Sequence, residues 1–200
     1  QPIYVKKPAF TYNDTGYSGF VSSNAGRSGT VYVGANDGML HAFDAVSGVE
    51  RWAYIPTPML PKMRQLADYS YPTNHRFFVD GSPKVGDVYT GSAWKTILVG
   101  GYSSGGVGYY ALDITDPHNP KALWEFPPAT ETDAGASYSA PIISKLADGT
   151  WAVIVSSGYN NSGLGYVYVL NAMTGAQIRK VSTGVGTLAS HSGLGRLTGY

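Results

Sequence analysis

The sequence predicts an all-β fold, a β-propeller of which about three and a half blades are present. Three observations carry this reading. The segments around Pro83, Trp94 and Tyr110 return around Pro141, Trp151 and Tyr168, at offsets of 58, 57 and 58 residues, and so constant a period marks a repeat architecture. Within each copy, runs such as Thr96-Ile97-Leu98-Val99 and Val153-Ile154-Val155 are rich in strand formers and are bounded by Gly, Asn, Asp and Ser. The composition agrees, because 14% charged residues with 26 Gly, 12 Pro and 16 Tyr among 200 suit short strands and tight turns better than helices.

Taken in order, residues 1–26 read as a lead-in or an edge strand. Blade one covers about 27–56, through Val31-Tyr32-Val33-Gly34, Met39 to Asp44, and Arg51-Trp52-Ala53-Tyr54. It looks short by one strand. Asn36-Asp37-Gly38 fits a hairpin turn, where glycine accepts a positive φ without steric cost. Residues 57–74, with Pro58, Leu60, Met63 and Leu66, read as an insertion holding a helical turn laid over a blade edge, and almost no helix is expected elsewhere. Blade two covers about 75–127, blade three about 138–183, and 184–200 is expected to open the next blade. Propellers close with four to eight blades, so the chain reads as a fragment of a larger ring.

Several function classes are set aside on composition. Fourteen basic and thirteen acidic side chains give a net charge of +1, with no basic run longer than Lys6-Lys7, so nucleic acid is not an expected partner. Without cysteine, disulfide scaffolds and thiol chemistry are absent. No apolar stretch is long enough to span a membrane as a helix, and the first residues lack the order of a signal peptide. His41, His75, His118 and His191 are scattered, which argues against zinc. The run from Gly100 to Gly108 leads into Tyr109-Tyr110-Ala111-Leu112-Asp113, a strand, whereas a phosphate loop must open a helix. No catalytic, cofactor-binding or metal-ligating residue is assigned in this segment, and the chain is read as a non-enzyme.

A second pattern sits at the ends of the repeats. From Ala42 to Trp52 the chain has the layout of the quinoprotein-type blade motif, with Asp44 before a turn, Gly48 inside it and Trp52 four residues later. Blade two repeats it loosely with Asp113 and Trp124, and blade three with Asn171 and Gly175 but no Trp. Such a Trp can stack between blades, and the Asp or Asn can accept backbone N–H bonds that hold the turn. Trp52→Ala is accordingly expected to cost about 3–5 kcal/mol. Function is expected in exposed loops, because blade packing consumes the strands. Tyr69 and Tyr71 in the 57–74 insertion, Tyr102, and Asn160 and Asn161 are the candidate recognition residues, in loops whose Tyr, Ser, Gly and Asn content suits adaptable contact.

The stretch from Val31 to Asp44 resembles the opening blade motif of the PilY/PilC family, the type IV pilus biogenesis factors and tip-associated adhesins. Asp80-Gly81-Ser82-Pro83, Gly100-Gly101-Tyr102, Ala111-Leu112-Asp113 and Ser156-Ser157-Gly158-Tyr159 are similar to that family's pattern, from about Thr30 to Tyr200. The resemblance implies export to the pilus tip, outer membrane or cell surface, with roles in pilus extension, twitching motility and attachment. It implies pilins and minor pilins as partners, together with a host or abiotic surface. It also implies calcium in the full-length protein, on a loop expected after Tyr200. Two rival readings are a pyrroloquinoline quinone-dependent dehydrogenase fragment, which quinone and calcium titration would reveal, and a periplasmic outer-membrane assembly scaffold, which co-purification with barrel-insertion proteins would reveal.

Overall fold

The computed structural model describes residues 1–160 and 162–199. Its strands form three four-stranded antiparallel sheets, each a simple meander. Blade one comprises β1 (Ile3–Val5), β2 (Thr30–Gly34), β3 (Leu40–Asp44) and β4 (Glu50–Tyr54); blade two comprises β5 (Lys84–Tyr89), β6 (Trp94–Gly101), β7 (Tyr109–Asp113) and β8 (Lys121–Phe126). Blade three comprises β9 (Ile142–Lys145), β10 (Trp151–Ser156), β11 (Tyr166–Asn171) and β12 (Gln177–Ser182). The first strands of neighbouring blades approach closely. A Cβ at Gly86 on β5 would lie 2.9 Å from the Ile143 side chain on β9, so these strands form the axial side and the fourth strands the rim.

The long apolar runs are explained by burial on both faces. In blade two, Leu98, Tyr110 and Leu112 join Tyr32, Leu40 and Ala42 of blade one in one buried cluster. Their sequence neighbours Ile97, Val99, Tyr109 and Ala111 join Val153, Val155, Tyr168 and Leu170 of blade three in the other. Successive side chains on a strand point to opposite faces, so a sheet sandwiched between two others needs an apolar residue at nearly every position. That requirement produces the continuous runs of β6 and β7.

Blade one has its full complement of strands. β1 pairs antiparallel with β2, Ile3 opposite Tyr32, and the chain then takes residues 6–29 to return to the sheet. In blades two and three the same connection is a short hairpin. The long excursion crosses over the neighbouring hairpins: Tyr12 stacks on Trp94 at 5.7 Å and meets Trp151 edge-on at 5.0 Å, while the Trp94 indole N–H donates to Thr15 O at 3.0 Å. Tyr17 donates to the buried Asp87 carboxylate at 2.7 Å, which also accepts from Thr96 at 2.6 Å. Burial and this bond push the Tyr17 hydroxyl pKa up.

Three expectations are corrected here. Residues 6–29 contain a helix, α1 (Tyr17–Ser23), outside the one insertion where helix was expected; Tyr17, Phe20 and Val21 bring one apolar stripe onto the core of blades two and three. The insertion after blade one is a 3-10 helix over Thr57–Ala67 rather than a single helical turn. It covers the loops at the opposite end of the blades, burying Met59 and donating from Lys62 Nζ to Gly105 O at 2.7 Å. Residues 184–199 contain no strand. They fold back along blade three, where Ser156 Oγ donates to Leu194 O at 3.2 Å and Leu197 N donates to Ser139 Oγ at 3.2 Å.

Candidate functional site

The meander places the β2–β3, β6–β7 and β10–β11 loops, and the connections between blades, at one end of the assembly. The β3–β4, β7–β8 and β11–β12 turns lie at the other end, which carries the blade motif. In blade one Asp44 Oδ1 accepts from Val46 N at 2.9 Å and Ser47 N at 2.8 Å, while Arg51 binds its other oxygen. The backbone donors of Ser47 and Val46, with Arg51, hold the Asp44 carboxyl well below the usual range. In blade three Asn171 Oδ1 accepts from Met173 N at 3.0 Å and Thr174 N at 3.1 Å. Gly48 and Gly175 occupy the same place in these turns, with φ of 74° and 68°. Blade two departs from this pattern. Asp113 accepts only Thr115 N in the turn and pairs with Lys95 at 3.1 Å, leaving Asp116 to bind His118 N and Asn119 further on.

The motif tryptophans cross the seams between blades. Trp52 donates from Nε1 to Pro117 O at 2.9 Å, and Trp124 to Ala172 O at 2.9 Å. Trp124 is buried and lies against Gly175, where a Cβ would sit 2.7 Å from its ring. Trp52 is only partly buried. The cost of Trp52→Ala is therefore revised to about 2 kcal/mol, nearer the cost of a partly buried side chain.

The recognition candidates separate sharply. Tyr69 is fully exposed, and Tyr71 is partly buried against the core of blades one and two. Tyr102 is a correction: it is 1% exposed, its ring 5.7 Å from that of Tyr110, and burial pushes its hydroxyl pKa up. Asn160 is a second correction. It is 6% exposed and spends its side chain locking its own loop, donating to Leu164 O at 2.8 Å and accepting from Gly163 N at 2.8 Å. Asn161 lies outside the described residues. The same end of the molecule instead exposes Phe77, Val107, Tyr138 and Tyr159, the last two in edge contact at 5.6 Å. Tyr159 is the repeat counterpart of Tyr102, so its position was legible and only its exposure, at 57%, was not.

Among the described residues no three His, Asp or Glu side chains gather as a metal would require. Glu131 and Asp133 converge instead on Lys180 Nζ, at 2.9 and 2.6 Å, with the Tyr166 ring 4.5 Å beneath it. A side-chain cation already fills the place an ion would take. These residues do not fit the calcium site that the resemblance implies for the longer protein.

His41 is held between two carboxylates, Nε2 at 2.9 Å from Asp37 and Nδ1 at 2.7 Å from Glu50. Neutral imidazole can donate to only one of them. Burial lowers the His41 pKa, but Glu50 and Asp37 outweigh it and the net direction is up. A raised folded-state pKa gives stability that is present below the unfolded value and lost as pH rises through the folded one. The difference in thermal midpoint between the parent and His41→Gln is expected to shrink from about pH 5.5 to about pH 8; a constant difference would show that the ring is not charged here.

A model of the PilY1 beta-propeller domain matches residues 3–196. The chain belongs to that family. The type IV pilus biogenesis factor PilY1 of Pseudomonas aeruginosa is 42% identical over 167 residues, covering 82% of this chain and 14% of the relative. A PilY1 homolog of Xylella fastidiosa is 41% identical over 184 residues, covering 88% and 15%. The crystal structure of the Pseudomonas aeruginosa PilY1 C-terminal domain superposes with a TM-score of 0.77 at 38% identity, over 91% of this chain and 38% of that one. The chain thus spans about one seventh of the curated relatives it matches. In this PilY1 propeller segment the seam tryptophans lie between blades, and Tyr69, Tyr138 and Tyr159 are exposed.

Proposed function

We propose that this chain is part of the propeller of a type IV pilus biogenesis factor, placed at the cell envelope or beyond it, and that it acts by recognition rather than by chemistry. The family match over residues 3–196 carries the reading, supported by relatives named as pilus biogenesis factors. Its finer form is a tip-associated role in pilus extension, twitching motility and attachment. Pilins and minor pilins are the proposed assembly partners, with a host or abiotic surface as the attachment target. Recognition is assigned to the loop end, where tyrosines supply large contact area at low conformational cost and are not consumed by packing.

The test replaces Tyr69, Tyr138 and Tyr159 together by Ser in the full-length protein and scores piliation, twitching and attachment separately. Stability should change by less than about 0.5 kcal/mol per site, as for surface substitutions, with at least one trait reduced. Three normal traits in a folded protein would overturn the assignment. Tyr102→Ser should do the reverse and destabilise by about 2–3 kcal/mol, because it empties a filled seam.

Calcium control is assigned to the longer protein and not to these residues, since a calcium site gathers six to eight oxygens. Calorimetry of residues 1–200 with calcium should be silent. Micromolar binding would require a site assembled from separate loops.

A further inference from the structure

Both closed seams are built the same way. The third and fourth strands of each blade carry a register shift, at Ala42/Phe43, Ala111/Leu112 and Val169/Leu170. Beside that shift, Trp52 opposes Ala42 and Trp124 opposes Ala111. Each tryptophan then reaches the β-turn of the following blade and donates to a backbone carbonyl, Pro117 O or Ala172 O. In blade three the residue opposite Val169 is Arg179.

The side of the sheet on which Arg179 lies is also defined. Its neighbour Lys180 sits over Tyr166 and Tyr168, and the buried Tyr168 belongs to the core shared with blade two. Alternation puts Arg179 and Val181 on the opposite face, across from Val169 and Val167. Arg179 and Val181 are exposed there. This is the face of blade three that corresponds to the covered faces of blades one and two.

We propose that Arg179 is the blade-three counterpart of Trp52 and Trp124, a docking residue that seats the next blade of the same polypeptide. Its guanidinium donates to the backbone carbonyl of that blade's third-to-fourth-strand turn and to a carboxylate beside it. Continuity with the two closed seams argues for this occupant. So does the solved relative, in which 91% of this chain aligns to only 38% of the domain. The carboxylate follows from charge. An indole N–H is satisfied by one carbonyl, whereas a guanidinium carries five donors and a charge that is costly to cover without an acidic partner. The motif position is an aspartate in blades one and two, Asp44 and Asp113, and the neutral Asn171 in blade three, so an aspartate at that position of the next blade would supply the carboxylate. The third seam is therefore an electrostatic one, and the two before it are not.

The inference rests on the family reading for the existence of a following blade, and the experiment separates the two. Hydrogen exchange is followed by mass spectrometry in the full-length protein for the parent, Arg179→Ala, Arg179→Trp and, as a seam control, Trp52→Ala. Because Arg179 is exposed within its own blade, the alanine variant is expected to fold. It should raise exchange about tenfold in β12 and in the third-to-fourth-strand turn of the next blade, and leave the seam of Trp52 and Pro117 unchanged. Raising salt from about 0.05 to about 0.5 M should loosen the third seam in the parent but not in Arg179→Trp. Exchange that changes only within β12, or a salt response equal in parent and Arg179→Ala, would overturn the role of Arg179 while leaving the propeller intact. A following segment with no protected strands in the parent would overturn the proposal and the propeller reading together.

Discussion

Trp124→Ala is expected to destabilise the protein by about 3–5 kcal/mol, the range for truncating a large buried aromatic. The ring is 8% exposed and belongs to the core shared by blades two and three. Truncation also removes the bond to Ala172 O, whose residue is fully buried, and an orphaned buried carbonyl adds its own desolvation cost. Chemical denaturation of the intact protein measures the loss. It should exceed that of Trp52→Ala, whose ring is only partly buried. A loss below about 1 kcal/mol would mean that the indole does not dock the third blade.

Gly175→Ala is expected to cost about 2–5 kcal/mol, from two separable sources. The residue holds φ at 68°, which costs a residue with a Cβ roughly 1–2 kcal/mol. That Cβ would also sit 2.7 Å from Trp124 Cγ, and overpacking of this kind costs about 1–3 kcal/mol. Gly48 provides the matched comparison, because it has φ of 74° in the equivalent turn and open space where its Cβ would be. Gly48→Ala should therefore show the backbone cost alone, about 1–2 kcal/mol. Combining Gly175→Ala with Trp124→Ala should be less costly than the sum of the two, since removing the indole removes the clash. Equal costs for the two glycines, or strict additivity of the double change, would place the turn of blade three away from the ring.

Much of the fold was legible because the repeat is local information. Offsets of 57 and 58 residues located blades two and three, and the apolar runs of β6 and β10 marked strands. The motif Asp44, Gly48 and Trp52 declared a turn and a docking ring from a single stretch of eleven residues. Those features are written in neighbours along the chain, where period and turn chemistry operate.

The sequence by itself thus determined the all-β architecture, the repeat and the residues that close the turns of blades one and three. Only the tertiary structure decided where the non-repeating segments go. β1 joins blade one before an excursion of 24 residues that carries α1 across two other blades, and nothing in its three residues names that destination. The same holds for Tyr102 and Tyr159, which occupy equivalent positions after a glycine in successive repeats. Tyr102 is buried because the first blade and the 57–67 insertion, through Tyr54 and Met59, lie against its seam, while Tyr159 has no such cover and stays 57% exposed. Strand period and turn type are set by adjacent residues, but burial is set by whichever distant segment packs above, and the same Gly-Tyr pair therefore acquires opposite roles.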